Sequence, residues 1–153
     1  MGAKALFKTM NEHKEKISKP HFLFSAENPK FPEKNELKMD HHTVLSHLQG
    51  AGYDAHEVNG HYGAPEKSIV VYGATPDHAE KLHGLASKLG QDSSIYSTGD
   101  QHEMRFHHGD MAGKKIKGAG TVWHKEKPAD FFTQLPGGTH QFTHNFDFEA
   151  GAK

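Results

Sequence analysis

The run Ser68-Ile69-Val70-Val71-Tyr72 constrains the fold more than any other segment. Three β-branched residues and a tyrosine in succession, stopped by Gly73, predict a strand. A helix follows at once, because Thr75 suits the N-cap, Pro76 the first helical position and Asp77 the positive end of the dipole. Ala79, Leu82, Leu85, Ala86 and Leu89 then form an apolar stripe, and Gly90 suits the left-handed residue that ends a helix. Upstream, His21-Phe22-Leu23-Phe24-Ser25-Ala26 predicts a strand closed by Asn28-Pro29. Asn35 to Gly50 predicts a helix with Leu37, His41, Val44, Leu45 and Leu48 on one face. Tyr53 to Asn59 reads as another strand, and Ser93 to Ser97 and Glu103 to His107 as two more around a Gly99-Asp100 turn.

The elements therefore run β-α-β-β-α-β with one extra strand. That order predicts an α+β fold of the ferredoxin-like kind, a sandwich with two helices on one sheet face and nothing on the other. A bare apolar face needs cover, and the candidates are the C-terminal tail and further copies of the chain, so a homo-oligomer is expected. Residues 1–19 read as an arm with Leu6, Phe7, Met10 and Ile17 at loosely helical spacing, and 20–113 as the core domain. Residues 114–153 form a C-terminal extension. Trp123, Phe131, Phe132, Phe142, Phe146 and Phe148 give that extension too many aromatics for a solvated linker, so it is expected to pack on the core or on a neighbouring subunit.

Charge and composition narrow the function. With 18 Lys plus Arg against 19 Asp plus Glu the chain is nearly neutral, which gives no electrostatic reason for a nucleic-acid or anionic-membrane partner. No apolar run reaches the roughly 20 residues of a membrane helix, so a soluble, cytoplasmic protein is the expectation. Cysteine is absent, which removes thiolate nucleophiles, zinc ribbons and iron–sulfur clusters. Histidine is abundant, at 15 residues, so acidification should change charge and self-association through this residue type.

The histidines do not read as a metal centre, and no metal or other cofactor is expected. His42 and His47, and likewise His78 and His83, stand five apart rather than the four that stacks two ligands on one helix face. His140 and His144 have the right spacing but follow Pro136-Gly137-Gly138 in a region without helical pattern. Gly109 to Lys115 lacks the spacing and the Ser or Thr of a phosphate loop, and no G-x-S-x-G elbow occurs. The connector Gly60 to Ser68 is more informative. Glu66 precedes a strand, where a pocket can hold a carboxylate against a bound cation, and Tyr62 can offer a ring face to a positive ligand group.

Taken together, Ser25-Ala26-Glu27-Asn28-Pro29, Asn35, Gly52-Tyr53-Asp54, Tyr62 with Glu66-Lys67-Ser68, and Gly90-Gln91-Asp92-Ser93-Ser94-Ile95-Tyr96 resemble the phage-encoded S-adenosylmethionine lyases, formerly called SAM hydrolases. The likeness spans residues 21–108 and rests on the order and spacing of these segments. It implies a GlnB/PII-like trimer with active sites between subunits, cleaving SAM to 5'-methylthioadenosine and L-homoserine lactone in the host cytoplasm as phage counter-defence against restriction–modification. On this resemblance Glu66 and Tyr62 are the expected catalytic pair, and Ser25, Ala26, Asn28, Gln91, Asp92 and Ser93 the expected substrate contacts. The competing expectation is a non-enzymatic PII-like trimer that holds an adenine nucleotide or another small ligand and signals its presence, and a third is a histidine-rich metal buffer.

Overall fold

The computed structural model describes residues 12–28, 32–61, 65–125, 132–136 and 140–147. Leu6, Phe7 and Met10 of the arm, Tyr62 of the connector, and Phe131 and Phe148 of the tail lie outside these residues. Helical residues 12–17 (α1) lead into β1 (His21–Phe24), and a 3-10 turn at Pro32–Lys34 precedes α2 (His41–Gly50). There follow β2 (Asp54–His61), β3 (Pro65–Tyr72), α3 (Pro76–Lys88), β4 (Ser93–Ser97), β5 (Gln101–Phe106), β6 (Lys115–Ala119), β7 (Thr121–His124), β8 (Phe132–Gln134) and β9 (Gln141–His144).

The signals around Thr75 act as read. Its hydroxyl accepts from the His78 amide and the His78 ring accepts from the Thr75 amide, both at 3.2 Å, a reciprocal cap with histidine in the place usually held by Glu or Gln. The earlier helix starts later than its periodicity predicts, at His41 instead of Asn35. Lys38 takes a left-handed conformation with φ 50°, which interrupts any helix through it, and Asp40 caps the new start by accepting from the Thr43 amide at 2.8 Å. Asn35 instead donates to the Met39 carbonyl and fixes the turn before the helix.

The ferredoxin-like, GlnB/PII-like sandwich is not what forms. All the strands belong to one antiparallel sheet in the order β6-β5-β4-β1-β3-β2-β8-β9-β7, which curls into a nearly closed barrel with the helices against it. The physical reason lies in residues 115–144, whose short strands lengthen the sheet on both sides of the α2- and α3-covered strands and bend it round. The first and last strands in that order, β6 and β7, are consecutive in the chain and meet at Gly120, whose φ of +84° turns the corner. Residues 145–147 then cross the gap, with the Asn145 amide donating to the Gly120 carbonyl at 3.1 Å and the Asp147 amide to the Lys117 carbonyl at 3.0 Å. The crossing is tight at Gly118, where any Cβ would collide with the Asn145 carbonyl.

Two cores result from the alternation of side chains along the central strands. Phe22, Phe24, Ile69, Val71 and Ala55 point to the outer face and pack under Val44 and Leu48 of α2 and Ala79, Leu82 and Ala86 of α3. Leu23, Val58, Val70 and Tyr72 point inward and meet Ile17 of α1, Leu135 and Phe142. The face expected to be bare is therefore covered by this chain's own residues, and it no longer calls for a second copy. No helix among the described residues is long and apolar enough to cross a membrane.

Candidate functional site

Residues 21, 23 and 25 of the first strand segment face inward together, as do 66, 68, 70 and 72 of β3, so one end of the inner wall carries Ser25, Ser68 and Glu66 side by side. The Ser25 hydroxyl donates to Glu66 Oε1 in a short hydrogen bond, and Ser25 and Ser68 Oγ atoms stand 2.9 Å apart. With the Ser25 proton committed to the carboxylate, Ser68 is the donor in that second contact. Both serines are 3% exposed while Glu66 is half-buried, so its carboxylate is held by buried hydroxyls. The Ser25 bond falls on Oε1, and Ser68 Oγ lies 3.5 Å from the same oxygen. Gly60, paired with Glu66 on β2, removes a side chain from the neighbouring inward position. Ser93 joins the same rim: Leu23 pairs with Ile95, so two residues further along the same faces stand Ser25 and Ser93.

The structure thus brings together Ser25 and Glu66 and adds Ser68, while Ser93 stands on the same side of the sheet by the register of β1 and β4. The other expected contacts are placed differently. Ala26 is fully buried in the core beneath α2 and α3, where it packs rather than lines a site. Asn28 donates to the Gly90 carbonyl at 3.0 Å and so fastens the end of β1 to the turn after α3. Gln91 is 7% exposed with Nε2 buried and unpartnered, Asp92 is exposed, and its carbonyl accepts from the His107 amide at 2.7 Å. Tyr62 lies outside the described residues, next in the chain to His61 at the end of β2.

Histidine does more inside this fold than its sequence pattern suggested. On the helix-covered face, Ser94 bridges His83 Nδ1 and His107 Nε2 at 2.6 Å each, and burial pushes the His83 ring down to about 4, with the nearby Arg105 charge adding to it. His41 Nε2 stands 2.8 Å from Glu57 Oε1, while its backbone amide donates to Glu27 Oε1 at 3.2 Å and so ties α2 to the end of β1. At the barrel end covered by α1, the Tyr72 hydroxyl and His13 Nδ1 share a hydrogen bond at 2.7 Å, and burial raises the Tyr72 pKa. On the inner wall, His21, His102 and His144 pack ring against ring. Their signal in the sequence was positional: His83 sits within the apolar stripe of α3, and His21 alternates with Leu23 and Ser25.

Two clefts of about 310 and 340 Å³ flank α3 and β5 and meet at Glu80, His83 and Arg105. Arg105 is held there by both carboxylate oxygens of Glu80 and by Glu103, so the clefts are walled by a satisfied ion-pair clamp between helix and sheet. Neither of these two clefts is lined by Ser25 or Glu66. Among the described residues no three His, Asp or Glu side chains converge as metal ligands. No protein-family model matches the sequence, and no curated protein matches it.

Proposed function

We propose that this chain is an S-adenosylmethionine lyase whose substrate is anchored by Glu66. The observation that carries the reading is the convergence of Ser25, Ser68 and Glu66 on one rim of the barrel's inner wall, since Ser25 and Glu66 come from separate segments of the family resemblance. The Ser25 hydroxyl engages one carboxylate oxygen of Glu66 and leaves the other to face a bound cation.

SAM offers two cations, the α-ammonium and the sulfonium. The sulfonium charge disappears as the carbon–sulfur bond breaks, so an anion against it would favour the ground state over the transition state. The ammonium keeps its charge throughout and is the better partner for Glu66. Held there, the substrate's own carboxylate attacks its γ-carbon, the carbon–sulfur electron pair leaves with methylthioadenosine, and the lactone closes. No proton moves, so the protein need supply no acid or base. Nucleophile and leaving group already share one molecule, so what the protein adds is to hold the near-attack conformer against the extended ones. A site drier than water further favours mutual neutralisation of carboxylate and sulfonium.

Incubation of the purified chain with SAM, followed by chromatography, tests the reading. Methylthioadenosine and homoserine lactone are the expected products. Glu66→Gln is expected to lower kcat/KM by roughly 10- to 150-fold, the equivalent of a charge-assisted hydrogen bond of about 1.5–3 kcal/mol. SAM left intact by a folded, SAM-binding chain would make it a ligand-binding protein. Homoserine appearing before lactone would make water the nucleophile, and an undiminished rate in the Glu66 variant would remove that residue from the site.

A further inference from the structure

The crossing that closes the barrel is fastened by three buried imidazoles, His21 beside β3 on β1, His102 on β5 and His144 on β9. His21 Nδ1 lies 2.8 Å from the Lys19 carbonyl and must donate to it, which leaves Nε2 of the neutral ring as an acceptor. His144 Nε2 stands 2.9 Å from that atom and therefore carries the hydrogen between them. His102 Nε2 donates to the Gly120 carbonyl at 2.8 Å, so its Nδ1 accepts from the Ser97 hydroxyl at 2.7 Å. The Gly120 carbonyl also receives the Asn145 amide, which joins the histidine cluster directly to the closing segment. The His144 ring meets His102 edge-on at 4.4 Å and stacks on His21 at 5.1 Å.

The assignments at His21 and His102 require neutral rings, and at His144 it is burial that opposes a second hydrogen. A second hydrogen on His21 sets two N–H groups against one another across 2.9 Å unless His144 changes tautomer. One on His102 Nδ1 opposes a Ser97 oxygen that already accepts from the Gly99 amide at 2.9 Å. Among the described residues the charged or titratable groups acting on the three rings are the rings themselves and Asp100, on the turn between β4 and β5, which favours a charge on His102. Phe142 and Phe146 fill the remaining sides with apolar surface.

We propose that this cluster is a proton-operated latch: protonation of His21, His102 and His144 lifts residues 144–147 off β1 and β6 and opens the barrel along that line, while the half of the sheet under α2 and α3 stays folded. Burial lowers His21 to about 4, His102 below its ordinary value and His144 well below it. A basic group depressed on folding binds its proton more readily once released, so the latch is fully closed above the unfolded value near 6.5 and weakens as pH falls toward 4.

The test follows hydrogen exchange at the Asn145 and Asp147 amides of the full chain from about pH 7 to about pH 3.5, with NMR titration of the imidazoles and circular dichroism of the helices alongside. After correction for intrinsic rates, opening is expected to rise by up to about tenfold per pH unit for each coupled proton below about pH 6.5, levelling off as the closed-state rings protonate and preceding any loss of helix signal. A paired substitution, His21→Phe with His144→Phe, keeps two rings and removes two titrating sites, and is expected to flatten the acid dependence. Protection that persists until the helices melt, rings that protonate without added exchange, or an unchanged opening pH in the paired variant would each overturn the latch. If the paired variant does not fold, the titration of the parent chain decides.

Discussion

Truncation of Phe142 to alanine tests whether the C-terminal strands are part of one cooperative core or an appendage to it. The ring is 1% exposed and lies 5.5 Å from Trp123 and 5.0 Å from His144, with Leu23, Val70 and Ile17 in the same inner cluster. Its strand is laddered to β7 on one side and β8 on the other, so the neighbours cannot close in on the space left behind. Buried Phe→Ala changes cost about 3–5 kcal/mol, and poor collapse places this one toward the upper end. At an m-value of about 2 kcal/mol/M the urea midpoint is expected to fall by roughly 2 M. Trp123 is the chain's single tryptophan, so its fluorescence reports on the C-terminal strands while far-ultraviolet dichroism follows α2 and α3. Both transitions are expected to shift together. A fluorescence transition that moves alone, or a loss under about 1 kcal/mol, would refute the single-core account.

Thr75→Ala removes one half of the reciprocal cap on α3 and is expected to cost about 1 kcal/mol in chemical denaturation, and no measurable loss would show the cap contributes nothing. The His83 ring, 3% exposed and lowered from 6.5 to about 4, favours the neutral form in the folded state. The stability this ring adds in its neutral form is fully present above pH 6.5 and is lost on acidification toward pH 4, so a urea midpoint that stays flat between about pH 7 and 4 would contradict its burial. Gly118→Ala places a methyl group against the Asn145 carbonyl and is expected to raise exchange at the Asp147 amide, and unchanged protection would mean the crossing is looser than described.

The elements with local signals were legible. Thr75, Pro76 and Gly90 mark α3 because caps and turn residues act on their immediate neighbours, and Ser68 to Tyr72 forms a strand because its side chains suit a pleated, buried surface. Asp40 carried the same kind of signal for α2 and was hidden by the apolar periodicity that continued back to Leu37, which stays 40% exposed. Barrel closure was not legible. Strands of three to five residues such as Phe132–Gln134 and Lys115–Ala119 owe their structure to partners far away in the chain, and nothing local records that Thr133 pairs with Gly60. Histidine spacing carries meaning along a helix, whereas His21, His102 and His144 meet across strands. Of the candidate site, Glu66 was legible from its place before a strand, Ser25 through the resemblance, and Ser68 only through their shared inward face.

The corner at Gly120 has a bearing on how this molecule meets others. Because the terminal members of the sheet are two halves of one bent stretch, and residues 145–147 bond to the Gly120 and Lys117 carbonyls, the border along β6 among the described residues offers fewer open backbone groups for a foreign strand to copy.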